Sequence, residues 1–209
     1  AGESSLCIHV STDGGVTWSA PRVTTPVTSA SAFADKVFND VDPETGRVLL
    51  SWTSFGAAVQ MSAIRSDNFG LTWSPVTVFS ARSEDGQGSC PRFDPTGNRA
   101  YIVWRAYGAV SAVSLVRSLD NGATWSAPQD IALGGSEPLP PYGSDRINDF
   151  PALAVSPADG SLHLVYANLQ TADFSDVYYA RSINQGLNWS VPVTLNSAPG
   201  LDRAQFFPW

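Results

Sequence analysis

The stretch STDGGVTW, Ser11 to Trp18, returns as SDNFGLTW (Ser66 to Trp73), SLDNGATW (Ser118 to Trp125) and SINQGLNW (Ser182 to Trp189). The tryptophans stand 55, 52 and 64 residues apart. In-register copies at such a spacing imply an array of similar supersecondary units, each packed on its neighbours. Each copy keeps Ser at its first position (Ser11, Ser66, Ser118, Ser182), Gly at its fifth (Gly15, Gly70, Gly122, Gly186) and Trp at its eighth (Trp18, Trp73, Trp125, Trp189). The third position reads Asp13, Asn68, Asp120 and Asn184.

Short apolar runs flank every copy: LCIHV, VQMSAIR, SAVSLVR and DVYYAR before, SAPRVTT, SPVTVFS, SAPQDIAL and SVPVTLN after. Apolar runs on both sides of a glycine-bearing turn read as a β-hairpin. The shared glycine would supply a positive φ, and the Asp or Asn side chain would accept hydrogen bonds from the turn's own N–H groups. The tryptophan would pack into the core beside the hairpin. Asn keeps the acceptor and loses the charge. A general acid or nucleophile does not survive that exchange, so these positions are structural.

Upstream of the later boxes lies a second pattern: KVFNDVDPETGRVLLSW, CPRFDPTGNRAYIVW and FPALAVSPADGSLHLVY. Each is an apolar strand, a Pro/Gly turn and an aromatic-bearing strand. A full unit therefore holds four strands. No convincing amphipathic helix is present, and 15 prolines oppose long ones. Repeated four-stranded sheets predict an all-β chain, a β-propeller. Residues 6–25 form an outer hairpin, 33–80, 90–133 and 149–196 three blades, and 202–209 the start of another, within one domain spanning 1–209. That is about three and a half blades. Either the chain is part of a six- or seven-bladed ring, or two copies close one ring as a homodimer.

The box S-x-D-x-G-x-T-W resembles the Asp-box, or BNR repeat, of sialidase-like β-propellers. The likeness covers nearly the whole chain. In that superfamily the boxes lie on outer hairpins, away from the ligand face. Its members include sialidases, other glycoside hydrolases, sorting receptors, assembly factors and lectin-like binders. Sialidases also carry an F/Y-R-I-P motif, three arginines for the sialic acid carboxylate, a Tyr–Glu nucleophile pair and an Asp acid/base. Here CPRFDP has Arg92 without Ile-Pro, and DRIND has Arg146-Ile147 without proline. No catalytic set is therefore assigned.

Twelve basic and 19 acidic residues give a net charge of −7, and Lys36 is the single lysine. An acidic chain disfavours nucleic acid and anionic membranes as partners. No apolar run is long enough to span a bilayer. Richness in Ser, Thr, Gly and Trp with few charges suits a secreted protein. Cys7 falls on an outer strand and Cys90 on an inner strand two blades away, too far for a disulfide. They are expected as free thiols or as partners of cysteines elsewhere. His9 and His163 read as half-buried strand residues. No His/Cys cluster has zinc spacing. Calcium is conceivable at SEDGQGS (83–89), which lacks the EF-hand pattern; no cofactor is expected.

A propeller's ligand face forms from inner-strand starts and neighbouring loops. Those loops here are 81–90, 134–149 and 196–205, joined by TSFGAA, RAYGAVS and NLQTADFSD. Asp35, Lys36, Arg92, Arg105, Asp145, Arg146, Asp149, Asp202 and Arg203 are expected near inner-strand starts or on inner strands. Tyr107 and Tyr142 are placed to stack on a sugar. Arginines bind carboxylates bidentately and a carboxylic acid handles protons; inter-blade ion pairs would use the same residues. Arg65, Arg117 and Arg181 precede boxes and are poor pocket candidates. The expectation is a glycan-directed protein that binds or hydrolyses terminal sugars, with a glycan or glycoconjugate as partner. The alternative is a non-catalytic scaffold or lectin.

Overall fold

The computed structural model describes residues 5–26, 33–56, 58–79, 86–107, 111–131, 147–169, 175–196 and 208. A hairpin of β1 (Ser5–Ile8) and β2 (Arg22–Pro26) comes first. Three four-stranded antiparallel sheets follow, each with its strands adjacent in chain order. The first holds β3 (Phe33–Asp42), β4 (Arg47–Phe55), β5 (Gln60–Ser66) and β6 (Thr77–Val78). The second holds β7 (Gly86–Asp94), β8 (Arg99–Ala106), β9 (Ala112–Ser118) and β10 (Gln129–Ile131). The third holds β11 (Ala152–Val155), β12 (Leu162–Leu169), β13 (Ser175–Ser182) and β14 (Val193–Thr194).

Strands alternate their side chains between two faces, and the central strands are apolar on both. On β8, Ala100, Ile102 and Trp104 face the first sheet, where they pack with Leu49, Met61, Ala63 and Phe79. The alternate row, Tyr101 and Val103, faces the third sheet and packs with Leu153, Leu162, Leu164 and Tyr166. A third cluster joins Leu6 of the hairpin to Val48, Leu50, Trp52 and Ile64. Near-continuous apolar runs such as AYIVW follow from burial on both faces.

The boxes behave as turn locks. In the third copy, Ser118 Oγ accepts the Gly122 N–H at 2.7 Å and donates to Asp120 Oδ1 at 2.8 Å. Asp120 in turn accepts the Thr124 N–H at 2.8 Å. Asn68 Oδ1 does the same for the Thr72 N–H at 2.8 Å without a charge. All four shared glycines have positive φ, from 76° to 88°. Trp73, Trp125 and Trp189 pack against the three core clusters. Trp18 does not: it is 63% exposed, because its box has no preceding described sheet to lie against.

Ser118→Ala removes the acceptor for two turn amides, since Ser118 Oγ also takes the Asp120 N–H. The expected cost is about 1–3 kcal/mol, read as a lowered urea midpoint. The Thr124 hydroxyl, the Thr124 amide and Ser118 hold the Asp120 carboxyl down from 3.8 to about 2. A carboxyl depressed by folding stabilises above its unfolded value and loses that contribution as pH falls through its folded value. The melting-temperature gap between the wild type and Asp120→Asn should therefore close between about pH 4 and about pH 2. A gap constant across that window would contradict this account of the box.

Several strand ends lie where the sequence reads as loop. β7 begins at Gly86 rather than near Cys90, because Gly86 and Gly88 mask the strand pattern and a bulge shifts the register between Gln87 and Cys90. Thr53–Phe55, Arg105–Ala106, Asn168–Leu169 and Ser175–Asp176 are also in strands; their backbone pairing needs no apolar side chain. β11 starts at Ala152, three residues beyond Asp149. His9 is exposed and lies just past β1, while His163 is half-buried on β12. Cys7 is an exposed free thiol and Cys90 a buried one.

Candidate functional site at the starts of the inner strands

The box serines set a common register. Ser66, Ser118 and Ser182 pair with Val48, Ala100 and Leu162 on the second strands. Three residues on, Ser51, Val103 and Val165 pair with Phe38, Cys90 and Ala152 on the first strands. Counting back three more makes Asp35, Gln87 and Asp149 equivalent, followed by Lys36, Gly88 and Phe150. These positions and the boxes occupy opposite ends of the sheets. From Val48 to Thr53 the second strand climbs roughly 16 Å at about 3.3 Å per residue.

Both first-strand bulges fall here. Lys36 has φ 52° and Gly88 φ 67°, a left-handed conformation that side chains other than glycine rarely adopt. Such strain concentrates at functional sites. Lys36, Gln87, Tyr107, Ile147, Asn148 and Phe150 line a cavity of about 190 Å³. Lys36 Nζ lies 5.6 Å from the centre of the Phe150 ring and 3.0 Å from Asp35 Oδ2.

A buried ion pair underlies the cavity. Arg105 continues the Tyr101–Val103 row of β8 toward the third sheet, and its Nε sits 2.8 Å from Asp149 Oδ2. Their side chains are 0% and 3% exposed. Tyr107 donates its hydroxyl to Asp149 Oδ1 at 2.5 Å. Burial first, then the Asp149 charge and this hydrogen bond, push the Tyr107 phenol well above its usual value. Tyr107 is thus held neutral, its proton turned to Asp149. The equivalent of Arg105 in the first sheet, Thr53, reaches forward in the same way and donates to the Gly86 carbonyl at 3.0 Å.

Of the residues picked from the sequence, Lys36, Asp35, Arg105, Asp149 and Tyr107 come together here. Arg92 does not. It lies five residues beyond Gln87 on β7, toward the box end, and bonds the Pro91 carbonyl. Asp145, Arg146, Asp202, Arg203 and Tyr142 lie outside the described residues. Arg65 and Arg117 sit at the box end: Arg65 donates to the Asp120 and Asn121 carbonyls and Arg117 to that of Gln185, each in the next unit's box. Gln87, Asn148 and Phe150 escaped the sequence reading; the box-anchored register was the signal that finds them.

A larger, mainly apolar cavity of about 570 Å³ lies beside the first hairpin, lined by Leu6, Val37, Val41, Val48 and Leu50 among others. The equivalent row on β8 is covered by the preceding sheet. This space adjoins a two-stranded unit where the others have four strands, and its lining also includes Cys7, His9, Ser11 and Asn39.

Residues 2–199 match the family described as the BNR repeat-like domain. The chain belongs to that family. It is 30% identical over 171 residues to a sialidase of Micromonospora viridifaciens, covering 65% of this chain and 26% of the relative. It is also 30% identical over 176 residues to a xyloglucanase of a Paenibacillus species, covering 76% of this chain and 15% of the relative. Among solved structures, the intramolecular trans-sialidase from Ruminococcus gnavus superposes with a TM-score of 0.61 at 12% identity, covering 92% of this chain and 64% of that one. This BNR-repeat chain thus has the sialidase-like β-propeller fold and spans a minor part of the curated relatives it matches.

Proposed function

We propose that this BNR-repeat propeller binds glycans outside the cell, at the cavity formed by the starts of β3, β7 and β11. The observation that carries the reading is the convergence of Lys36, Gln87, Tyr107, Asn148 and Phe150 from successive sheets on one small pocket. Ligand sites are concave, with a few convergent polar groups and an apolar wall. The volume, below the 300–1,000 Å³ common for drug-sized ligands, suits a single sugar unit. Relatives named as a sialidase and a xyloglucanase support a sugar ligand, and the acidic, lysine-poor chain disfavours nucleic acid.

Hydrolysis of a terminal sugar is the second reading. The Tyr107–Asp149 hydrogen bond favours it, because tyrosine serves as nucleophile in sialidases. Against it, Asp149 is already engaged by Arg105, and Tyr107 is held as a neutral phenol.

A glycan-array screen followed by titration tests binding. Phe150→Ala and the double variant Gln87→Ala/Asn148→Ala are expected to weaken binding about tenfold or more, or about 1.4 kcal/mol. Unchanged affinity in both would remove the site from this pocket. A panel of fluorogenic glycosides, sialoside included, tests turnover. Turnover that Tyr107→Phe abolishes would establish the hydrolytic reading; binding without turnover is the expected result.

A further inference from the structure

Resting on the glycan reading, we infer that the pocket selects a neutral pyranose residue over an acidic sugar.

Three observations carry this. The first concerns cations. A sugar carboxylate is best held by an accessible arginine fork. Arg105 is fully buried beneath the pocket and paired with Asp149. Lys36, the cation among the described lining residues, is 3.0 Å from Asp35 and also donates its backbone N–H to that carboxylate at 2.9 Å. Asp35, Lys36, Arg105 and Asp149 therefore sum to no net formal charge.

The second concerns polarity. Tyr107 lines the cavity with its proton already committed to Asp149, so its hydroxyl can only accept, which a sugar hydroxyl satisfies by donating and a carboxylate does not. An anion placed there would also approach Asp149. Gln87 and Asn148 supply neutral amides, each able to donate and accept, as ring hydroxyls require. Phe150, 6% exposed, adds an apolar edge to the lining.

The third is the field of the whole chain. A net charge of −7 repels anionic ligands before contact.

The test is calorimetric titration of the wild-type protein with methyl glycosides of glucose, galactose and xylose and the neutral oligosaccharides built from them. These are set against 3′-sialyllactose and a methyl glucuronoside. The expected result is a neutral sugar bound about tenfold or more tightly than either acid, with little dependence on salt. Asp35→Asn frees Lys36 from its partner and should narrow that gap by about tenfold. Preference for an acidic sugar, weakening as salt rises, would overturn the inference and leave the glycan reading standing. Binding of neither class would overturn the glycan reading, and this inference with it.

Discussion

Arg105→Ala is expected to destabilise the fold by about 3–5 kcal/mol, the range for removing one partner of a buried ion pair. The cost comes from what remains. Asp149, with a side chain only 3% exposed, would keep a charge with the Tyr107 hydroxyl as its nearest remaining support. Replacing both partners by apolar residues of similar volume is often neutral, so Arg105→Met/Asp149→Leu should recover most of the loss while lowering glycan affinity by freeing Tyr107. Urea midpoints of the single and double variants check this. A single-variant cost below about 1 kcal/mol, the range of an exposed pair, would mean that the pair does not organise the site.

Gly88→Ala should be nearly as damaging, for a different reason. Gly88 has φ 67°, and an added Cβ would stand 2.0 Å from Phe150 Cγ and 2.6 Å from its Cβ. Those atoms are the root of the side chain and cannot swing aside. The strained backbone costs roughly 1–3 kcal/mol and the overpacking roughly 1–3 kcal/mol more. Because Phe150 must move, glycan affinity should fall alongside stability. Gly97→Ala is the control: it lies at the turn before β8, has no left-handed φ, and its added Cβ would meet the flexible end of Arg99. It should cost well under about 1 kcal/mol. Equal effects at the two glycines would contradict the close approach of the second and third sheets at this point.

These two variants also show how far sequence reasoning reached. The boxes were legible because their bonds are local: Ser118 to Gly122 and Asp120 to Thr124 each span four residues. The four-stranded unit was legible from turn chemistry and from central strands apolar on both faces. Asp35, Lys36, Arg105 and Asp149 were named from their places near strand ends. Their pairing was not readable, because Arg105 and Asp149 are far apart in the chain and meet across two sheets. Gln87 and Phe150 stayed hidden behind the bulge. Only when Gln87 is seen opposite Arg105 do Gly88 and Phe150 fall into equivalent positions, and only then is the missing side chain of one recognisable as room for the ring of the other.

The boxes and the pocket lie at opposite ends of the same strands, so the location of the ligand is the sharpest question. Amide chemical-shift mapping with a bound neutral oligosaccharide answers it. The account predicts perturbations gathered at 35–36, 86–88, 107 and 147–150. Perturbations gathered instead at the boxes, residues 66–73, 118–125 and 182–189, would put the ligand on the opposite face and contradict it.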